Sequence, residues 1–543
     1  MSGTPAVVPQ QKGFLAWVER TGNRLPDPVF IFFYLIVALV LISVVCAMLG
    51  VSALHPTRLN ADGTPVVERA VSLLAPENIQ RLWVEMPATF THFHPLGYVL
   101  VVMLGAGVAE RSGLFASSIR AAVRNAPKFL LTPAVALVAM LSNHAADAGY
   151  VVMIPLAAIL FASAGRHPLA GIAAAFAGVS GGFSANIAPG QLDALLFGIT
   201  ETAARGAQIG GGWTVNFAGN WYFISALLFL YLPIIWWVTD KIIEPRLGKW
   251  KPDAEQAKSY GDEDKPLTPG QRKGMRNAGL ACLAVIALWT FMTIGPGTPL
   301  YLTNADFAAL GQSPEQIAGK EWYDRLAPFF RSLVAAFLIL FLAAGWAYGA
   351  AAGTIRNHRE LVGMMAEAMK DMGYYLVLAF AAAHFVAMFN WSNLGLITAV
   401  HGADAIRGSG LPLPLVLGLI VLFSALLNLF VGSASAKWAL MAPVLVPMFM
   451  LLGVSPEGAT AAYRVGDGAT NIITPLMVYF PLILIFAQRW QKDFGLGSLT
   501  AMMLPYSLWL LVSGTVLMVL WIYLGIDLGP GAPVHFALPE ATG

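Results

Sequence analysis

Two polar, glycine-rich stretches interrupt apolar segments of the chain, Ser180-Gly-Gly-Phe-Ser-Ala-Asn-Ile-Ala-Pro189 and Gly466-Asp-Gly-Ala-Thr-Asn-Ile-Ile-Thr-Pro475. Each places a hydroxyl side chain one or two positions before an asparagine, at Ser184–Asn186 and Thr470–Asn471, and each ends on a proline. Backbone that leaves the helix at membrane depth is tolerated only where it is buried in protein or lines a wet cavity. Two such breaks in corresponding positions indicate the central site of a transporter.

The segments around the two breaks are related by a constant offset of 288 residues. The matching pairs are Pro155 and Pro443, Pro168 and Pro456, Gly178 and Gly466, and the aromatic residues Tyr150 and Trp438. Upstream of each break lies another interrupted apolar segment, Phe129–Ala164 in the first case and Pro412–Leu452 in the second. We expect these segments to form re-entrant hairpins that enter from opposite sides, which makes the repeat inverted. Freed amides could then hold an anion, and freed carbonyls a cation.

Composition places the chain in a membrane. Of 543 residues, 57% are hydrophobic and only 11% are charged, against about 25% charged in soluble domains. The mean hydropathy is +0.67, so the chain needs a lipid solvent. Its two cysteines, Cys46 and Cys282, lie in apolar runs, which argues against a disulfide or a metal site. We expect the lipid bilayer as a partner, but no nucleic acid.

The pattern of apolar segments predicts an all-α polytopic protein with nine transmembrane helices, of which seven are clear and two are the broken segments Pro168–Gly198 and Pro456–Phe486. The clear spans are Val29–Leu49, Pro95–Ala109, Trp221–Val238, Asn277–Ile294, Leu333–Thr354, Tyr374–Val400 and Met502–Leu524. Basic residues are concentrated in Arg111–Lys128 and Lys241–Arg276, which predicts that these connections are cytoplasmic. The N-terminus is then inside the cell and the C-terminus outside.

The predicted organisation has scaffold and repeat regions in alternation. Scaffold spans cover 1–127, the first repeat with its hairpin and broken helix 128–240, and a cytoplasmic connector 241–276. Further scaffold spans cover 277–411, the second repeat with its hairpin, broken helix and last span 412–525, and a periplasmic tail 526–543.

Ionisable groups within the predicted spans are candidates for function, because charges are costly in a bilayer. Arg464 and Asp467 lie about one helical turn apart. Arg464 is a permanent cation whose planar fork suits a carboxylate. The alternative is that Arg464 and Asp467 only neutralise each other. Asp193, after the first break, is the counterpart of Asp467 and could be an ion ligand, a proton carrier or a charge at a helix end.

The turn of the second hairpin is small and polar over Gly432–Ala436. Asn428 and Ser435 can donate or accept hydrogen bonds there. Trp438 either stacks on an aromatic ligand or fills the hairpin, and both alternatives stay open at this point. Lys437 either reaches toward the membrane surface or pairs with a carboxylate.

The turn of the first hairpin contributes Asn143 and Asp147 as candidate ligands. His144, between them, fits a structural role better than that of a proton carrier. Amide and hydroxyl oxygens at the breaks predict a Na⁺ site near Asn186 and Asn471, although H⁺ coupling through the carboxylates is an equal alternative. No cofactor beyond the coupling ion is expected.

Other function classes fit the sequence less well. The chain has neither G-x-x-x-x-G-K-[ST] nor H-E-x-x-H, which argues against ATP-driven transport and against an intramembrane zinc protease. An intramembrane aspartyl hydrolase using Asp193 and Asp467 is the main rival. Such a dyad needs one protonated carboxylate, which the nearby Arg464 disfavours. An ion channel has no use for paired hairpins.

Several long motifs carry a family resemblance. They are Glu19–Pro28, Ala146–Tyr150, Gly165–Gly171, Gly432-Ser-Ala-Ser-Ala-Lys-Trp-Ala-Leu-Met-Ala-Pro443, Ala462-Tyr-Arg-Val-Gly-Asp467 and Thr470–Met477. Together they resemble the AbgT family of aminobenzoyl-glutamate transporters. The matches extend from near the N-terminus to beyond Pro475, so the resemblance covers nearly the whole chain. The family often has proline after the first-break aspartate, whereas Ala194 follows Asp193 here.

The resemblance implies a bacterial inner-membrane homodimer that works by an elevator motion coupled to Na⁺ or H⁺. It implies p-aminobenzoyl-glutamate as the anionic substrate, or sulfonamide antimetabolites with a similar ring; other dicarboxylates are the alternative. The family's site residues match Asp193, Asn428, Ser435, Trp438, Pro456, Arg464, Asp467 and Pro475. When the candidates identified from the residues themselves are added, the predicted substrate-binding residues are Asn428, Ser435, Trp438, Arg464, Asn471 and Pro475. The predicted ion-coupling residues are Asp193, Asp467, Asn186, Ser184 and Thr470, and the structural residues are Pro456, Pro189, Asp147 and Asn143.

Overall fold

The structure is a computed structural model, and it describes residues 27–124, 130–145, 149–209, 213–250 and 266–539. Within these ranges the chain is mainly helical, with one antiparallel sheet of two strands, β1 (Ser52–Leu59) and β2 (Pro65–Arg69). The all-α prediction is wrong in this region. The connecting turn contains Asp62 and Gly63, the latter with φ 79°, and an Asp-Gly pair favours a hairpin over a helix.

Several helices of the first half begin with proline in their first turn, as is typical of helix starts. In chain order the helices of this half are α1 (Pro28–Met48), α2 (Pro76–Val84), α3 (Met86–Thr91), α4 (His94–Arg111), α5 (Leu114–Arg124), α6 (Leu131–Leu141), α7 (Ile154–Ser163), α8 (Pro168–Phe176), α9 (Gln191–Gly206), α10 (Trp221–Val238) and α11 (Glu244–Leu247). A 3₁₀ turn, Ser142–Ala145, follows α6, and π-helical turns occupy Gly149–Met153, Ala177–Gly181 and Thr239–Ile243. Such turns are frequent at functional sites.

The second half of the chain is also mainly helical. Its helices are α12 (Pro269–Phe291), α13 (Asn304–Ala309), α14 (Pro314–Ala318), α15 (Trp322–Arg325), α16 (Ala327–Ala352), α17 (His358–Asp371), α18 (Gly373–Trp391), α19 (Leu394–Gly408), α20 (Leu413–Asn428), α21 (Ala434–Leu451), α22 (Pro456–Thr470), α23 (Phe480–Gln488) and α24 (Leu496–Leu524). The segment from Tyr374 to Val400, predicted as one span, is divided between α18 and α19. Asn393 between them has a left-handed φ of 58°, which ends the helix.

Seven helices in the described ranges are long and apolar enough to cross a membrane. They are Val29–Met48, Trp221–Leu247, Pro269–Phe291, Ala327–Ala352, Gly373–Trp391, Ala434–Leu451 and Leu496–Leu524. Leu96–Arg111 and Leu114–Ala121 would add an eighth if taken as one span, but they are bent by 64°. The chain is therefore a multi-pass helical protein.

Both predicted breaks are present as gaps between helices. The first separates α8 and its π turn from α9, and the second separates α22 from α23. The helices that precede the breaks begin at Pro168 and Pro456, positions that the 288-residue offset relates. The breaks also meet: a Cβ on Gly468 would lie 3.3 Å from the Gly181 carbonyl oxygen and 3.6 Å from Ser184 Oγ. The two polar stretches therefore form one central region.

The helix α22 forms the centre of the molecule, since all 15 of its residues are buried. Its N-terminus is covered by the C-terminal segment, where the Ser455 amide donates to the Val534 carbonyl at 2.9 Å. Leu528 and Ala532 of that segment are fully buried. The tail after α24 therefore packs against the site region.

Candidate functional site

The first break positions Asp193. The non-helical segment ends at Gly190, and α9 starts at the next residue. The Gly190 amide donates to Asp193 Oδ2 at 2.7 Å, which caps the helix with a carboxylate, as the helix dipole favours. The second carboxylate oxygen, Oδ1, is left to face α22.

Arg464 binds that oxygen. Its Nη1 donates to Asp193 Oδ1 at 2.7 Å and to Asn220 Oδ1 at 3.3 Å. Arg464 is 2% exposed and Asp193 7%, so a buried ion pair joins the two predicted repeats. Arg464 Nε has no hydrogen-bond partner among the described residues. This leaves the guanidinium with an unused donor.

Asp467 does not pair with Arg464. Its Oδ1 forms an ion pair with the ammonium of Lys437, which is 1% exposed. The Tyr463 hydroxyl lies 3.3 Å from the same oxygen and donates to the Ala434 carbonyl at 2.6 Å. Although Arg464 and Asp467 are only three residues apart on α22, each finds its partner on another helix.

Asn428, at the end of α20, ties the second hairpin to the second break. Its Nδ2, which carries two hydrogens, lies within hydrogen-bond distance of three acceptors: the Asp467 carbonyl at 2.7 Å, Thr470 Oγ1 at 2.9 Å and Asn471 Oδ1 at 2.8 Å. Its Oδ1 accepts from Lys437 Nζ. Four residues predicted from sequence as separate ligands are thereby brought into one network, with Lys437 added.

Trp438 is enclosed by protein. Its ring stacks on Tyr463 with a centroid distance of 4.6 Å and an interplanar angle of 24°. Its Nε1 donates to Thr200 Oγ1 at 2.9 Å, and Thr200 lies 2.8 Å from Thr460 Oγ1. With 0% of Trp438 exposed, the geometry places it in hairpin packing and not on a ligand surface.

Two oxygen atoms at the first break differ from the other site atoms in their hydrogen bonding. Ser184 Oγ and Asn186 Oδ1 are buried and have no hydrogen-bond partner among the described residues. A buried oxygen atom that accepts no hydrogen bond can instead coordinate a cation. Asn471 Oδ1, in contrast, already accepts from Asn428. The described residues contain no group of three or more His, Cys, Asp or Glu side chains arranged for a metal.

The remaining predicted site residues that the structure describes make local contacts at the hairpins and breaks and take no part in the two ion pairs. Asn143 Nδ2 donates to the Met140 carbonyl at 2.9 Å and to the Gly182 carbonyl at 3.4 Å, which joins the first hairpin to the first break. Ser435 Oγ lies 3.2 Å from Ser433 Oγ. Pro456 begins α22, whereas Pro189 and Pro475 lie in the non-helical segments. Asp147 lies outside the described residues.

Asp193 borders cavities on two sides. One, of about 270 Å³, is lined by Asn143, Asn186 and Asp193 and reaches the start of α18. The other, of about 20 Å³, is lined by Asp193, Asn220 and Arg464. It shares its wall at 215–217 with a cavity of about 410 Å³ that reaches the last turn of α9. The 270 Å³ cavity lies at the first turn of α9 and the 410 Å³ cavity at its last turn, roughly 18 Å away along the helix. The ion pair of Asp193 and Arg464 therefore lies between these two cavities.

The sequence profile of the AbgT putative transporter family matches residues 13–536. The chain belongs to the AbgT family. The AbgT relatives of this chain are transporters. The chain is therefore a membrane transporter and not a hydrolase, as its sequence motifs predict.

Among AbgT relatives, the p-aminobenzoyl-glutamate transport protein of Escherichia coli (strain K12) is 36% identical over 533 residues, 98% of each chain. The YdaH transporter of Alcanivorax borkumensis is 41% identical and superposes with a TM-score of 0.82, covering 93% of this chain and all of that one. MtrF of Neisseria gonorrhoeae, which represents a class of antimetabolite efflux pumps, is 41% identical with a TM-score of 0.84 and covers 96% of this chain and 100% of its own.

Sequence reasoning missed several residues of this AbgT site. Asn220 binds Arg464, Thr200 accepts from Trp438 and contacts Thr460, and Glu457 accepts from the Asn216 amide at 2.9 Å. Each is a polar residue within or beside an apolar segment, and this is the sequence feature that could have identified it as a candidate. Their partners lie far away in sequence, so the pairings had no local pattern.

Proposed function

We propose that this protein is a secondary active transporter of p-aminobenzoyl-glutamate and related aromatic anions, including sulfonamide antimetabolites, coupled to Na⁺ or H⁺. The observation that carries the proposal is the buried Asp193–Arg464 pair between two cavities. A group reachable in turn from two cavities is what alternating access requires. Membership of the AbgT family and the name of the Escherichia coli relative support the substrate class.

Substrate recognition follows from competition for Arg464. A glutamate carboxylate of the substrate replaces Asp193 on the guanidinium, and the unpartnered Nε provides a second donor for bidentate binding. The larger cavity offers Arg205 and Arg331 at its rim, together with aromatic side chains such as Tyr98 and Phe217 for the benzoyl ring. Its volume of about 410 Å³ lies within the range of about 300–1,000 Å³ that is usual for small-molecule sites.

Coupling follows from the same exchange. When a substrate carboxylate takes Arg464, Asp193 loses its cation in a buried place, and a buried carboxylate without a partner is costly. Uptake of H⁺ by Asp193, or of Na⁺ by the free oxygens of Ser184 and Asn186, restores the balance. Substrate and ion then load together. Asn428, Asn471 and Asp467 support this site through the second break.

The architecture we propose is that of nine crossing segments and two opposed hairpins in inverted repeats, with the N-terminus cytoplasmic and the C-terminus periplasmic, in a homodimer of the bacterial inner membrane. The hairpins and broken helices move together against the scaffold. The matched helix starts at Pro168 and Pro456 and the contact between Gly181 and Gly468 support a single moving unit.

The test is uptake of labelled p-aminobenzoyl-glutamate into proteoliposomes under an imposed Na⁺ gradient and, separately, an imposed H⁺ gradient. We expect uptake with one gradient and its loss in Arg464→Gln, because the substrate carboxylate loses its cation. Arg359→Ala, which removes an exposed arginine on α17, is the matched control and should retain uptake. Absence of uptake with either gradient would refute the substrate and direct the search to other dicarboxylates.

A further inference from the structure

Lys437 is a buried cation for which the transport of substrate has no evident need. It lies in the first turn of α21, where Ser433 caps the helix by accepting from the Ala436 amide. A positive charge is unfavourable at the N-terminus of a helix, because the helix dipole is positive there. Burial adds a desolvation cost. A lysine in this position therefore needs a compensating interaction.

The compensation comes from two oxygen atoms. Lys437 Nζ forms an ion pair with Asp467 Oδ1 and donates to Asn428 Oδ1. A carboxylate oxygen and an amide oxygen that converge on one point form a donor set for a hard monovalent cation. The ammonium thus occupies the place where such a cation would bind.

The two ion pairs of the site differ in one chemical respect. Arg464, the partner of Asp193, stays charged at all accessible pH, whereas a lysine ammonium can release its proton. The four buried charges, Asp193, Arg464, Asp467 and Lys437, cancel as a group. A mobile cation can therefore join the second pair without adding net charge only if Lys437 gives up its own.

We propose that Lys437 is a tethered cation at the ion site of Asp467, in competition with the mobile coupling cation. This inference rests on the proposed function only in taking the protein to be ion-coupled. When Na⁺ binds, the ammonium gives its proton to water and the neutral amine withdraws, so that one positive charge replaces another at the carboxylate.

Lys437 and Asp467, the second ion pair, are enclosed by the helices that pack against α21. Tyr463, on α22, is the other titratable side chain that faces them. On the other helices packed against α21, Glu201 of α9 binds Arg205, Arg407 of α19 binds Asp404, and His384 of α18 binds the Phe380 carbonyl through Nδ1. The Tyr375 hydroxyl and His384 Nε2, both on α18, have no hydrogen-bond partner among the described residues.

The test uses purified full-length protein in detergent without substrate, so its result does not depend on the transport assay. Thermal unfolding is measured for wild type, Lys437→Met and Lys437→Met/Asp467→Asn, in Na⁺ against choline at fixed pH and across pH in choline. In Lys437→Met the carboxylate needs a mobile cation. We expect its midpoint to rise by at least ~2 °C with Na⁺. A fall of the midpoint as pH rises is expected from the unpaired carboxylate alone and serves as the check that Lys437→Met has exposed it.

The double variant is the decisive control, since it removes both charges and should lose the new dependence while remaining folded. Lys437→Arg, which keeps the charge, should unfold like wild type in all conditions and serves if the methionine variant does not fold; its transport should then fail while substrate binding persists. A Lys437→Met midpoint that does not respond to Na⁺ would overturn the proposal, because loss of a merely structural lysine leaves an unpaired carboxylate whose stability depends on pH but not on Na⁺.

Discussion

Thr200 shows how a single hydroxyl joins the two repeats. It accepts the indole N–H of Trp438 and lies in hydrogen-bond contact with Thr460, and all three side chains are buried. Its neighbour Thr202 on the same helix donates only to the Gly198 carbonyl within α9. The two threonines therefore differ in tertiary role but not in secondary structure.

Thr200→Val should destabilise the protein markedly, because the buried indole N–H of Trp438 loses its acceptor. An unsatisfied buried donor costs about 1–3 kcal/mol. Thr202→Val is the matched control and should cost far less. The measurement is the thermal unfolding midpoint in detergent, monitored by tryptophan fluorescence. Equal effects of the two variants would contradict the assigned role of Thr200.

At the scale of elements, the approach of α22 to α20 depends on the absence of a side chain at Gly466. A Cβ there would overlap the Val421 carbonyl oxygen and lie 2.8 Å from the Ala425 amide nitrogen. Both are backbone atoms, so rotamer changes cannot relieve the clash. The close contact also holds Asp467 beside Asn428.

Gly466→Ala should lower stability, because overpacking typically costs about 1–3 kcal/mol and here the helices themselves must separate. Gly363→Ala is the control: Gly363 lies within α17, and a Cβ there meets nothing within 4 Å. Alanine should stabilise that helix by roughly 0.5–1 kcal/mol. The two substitutions should therefore shift the unfolding midpoint in opposite directions, and a shift of the same sign would refute the packing argument.

At the scale of the whole molecule, α9 and α18 meet at a seam between the first repeat and the predicted scaffold. A Cβ on Gly206 would overlap Asn390 Nδ2 and lie 2.9 Å from Asn390 Cγ. Replacing both residues by cysteine puts the two Cβ atoms near the ~3.5–4.5 Å that a disulfide requires.

Oxidation of Gly206→Cys/Asn390→Cys, with Cys46 and Cys282 replaced by serine, should abolish uptake, and reduction should restore it. The reason is that the proposed elevator motion requires α9 to move past α18. A control pair, Gly270→Cys/Ala352→Cys, joins α12 to α16 within the scaffold, where a Cβ on Gly270 lies 3.7 Å from Ala352 Cα. Uptake in proteoliposomes should survive that crosslink. Full uptake by the oxidised seam pair would rule out this motion.

The sequence by itself determined the class of the protein and the position of its breaks. Low charge and long apolar segments require a lipid solvent, and this physics is local, so Trp221–Val238 was predicted with the bounds that the helix has. Proline and glycine impose backbone constraints where they stand, so both polar breaks were recognisable. The family followed from motifs that are contiguous in sequence. The two-stranded sheet was missed because its segment lies outside the apolar pattern.

Only the tertiary structure decided which charges pair. Spacing on α22 left open that Arg464 and Asp467 neutralise each other, yet Arg464 binds Asp193, 271 positions away, and Asp467 binds Lys437. Helical spacing limits which residues share a face, but a neighbour from another helix can bring a partner closer than the next turn does. Trp438 likewise had two readings until Tyr463 and Thr200 enclosed it. Pairing depends on how helices distant in sequence pack, and no local pattern contains that information.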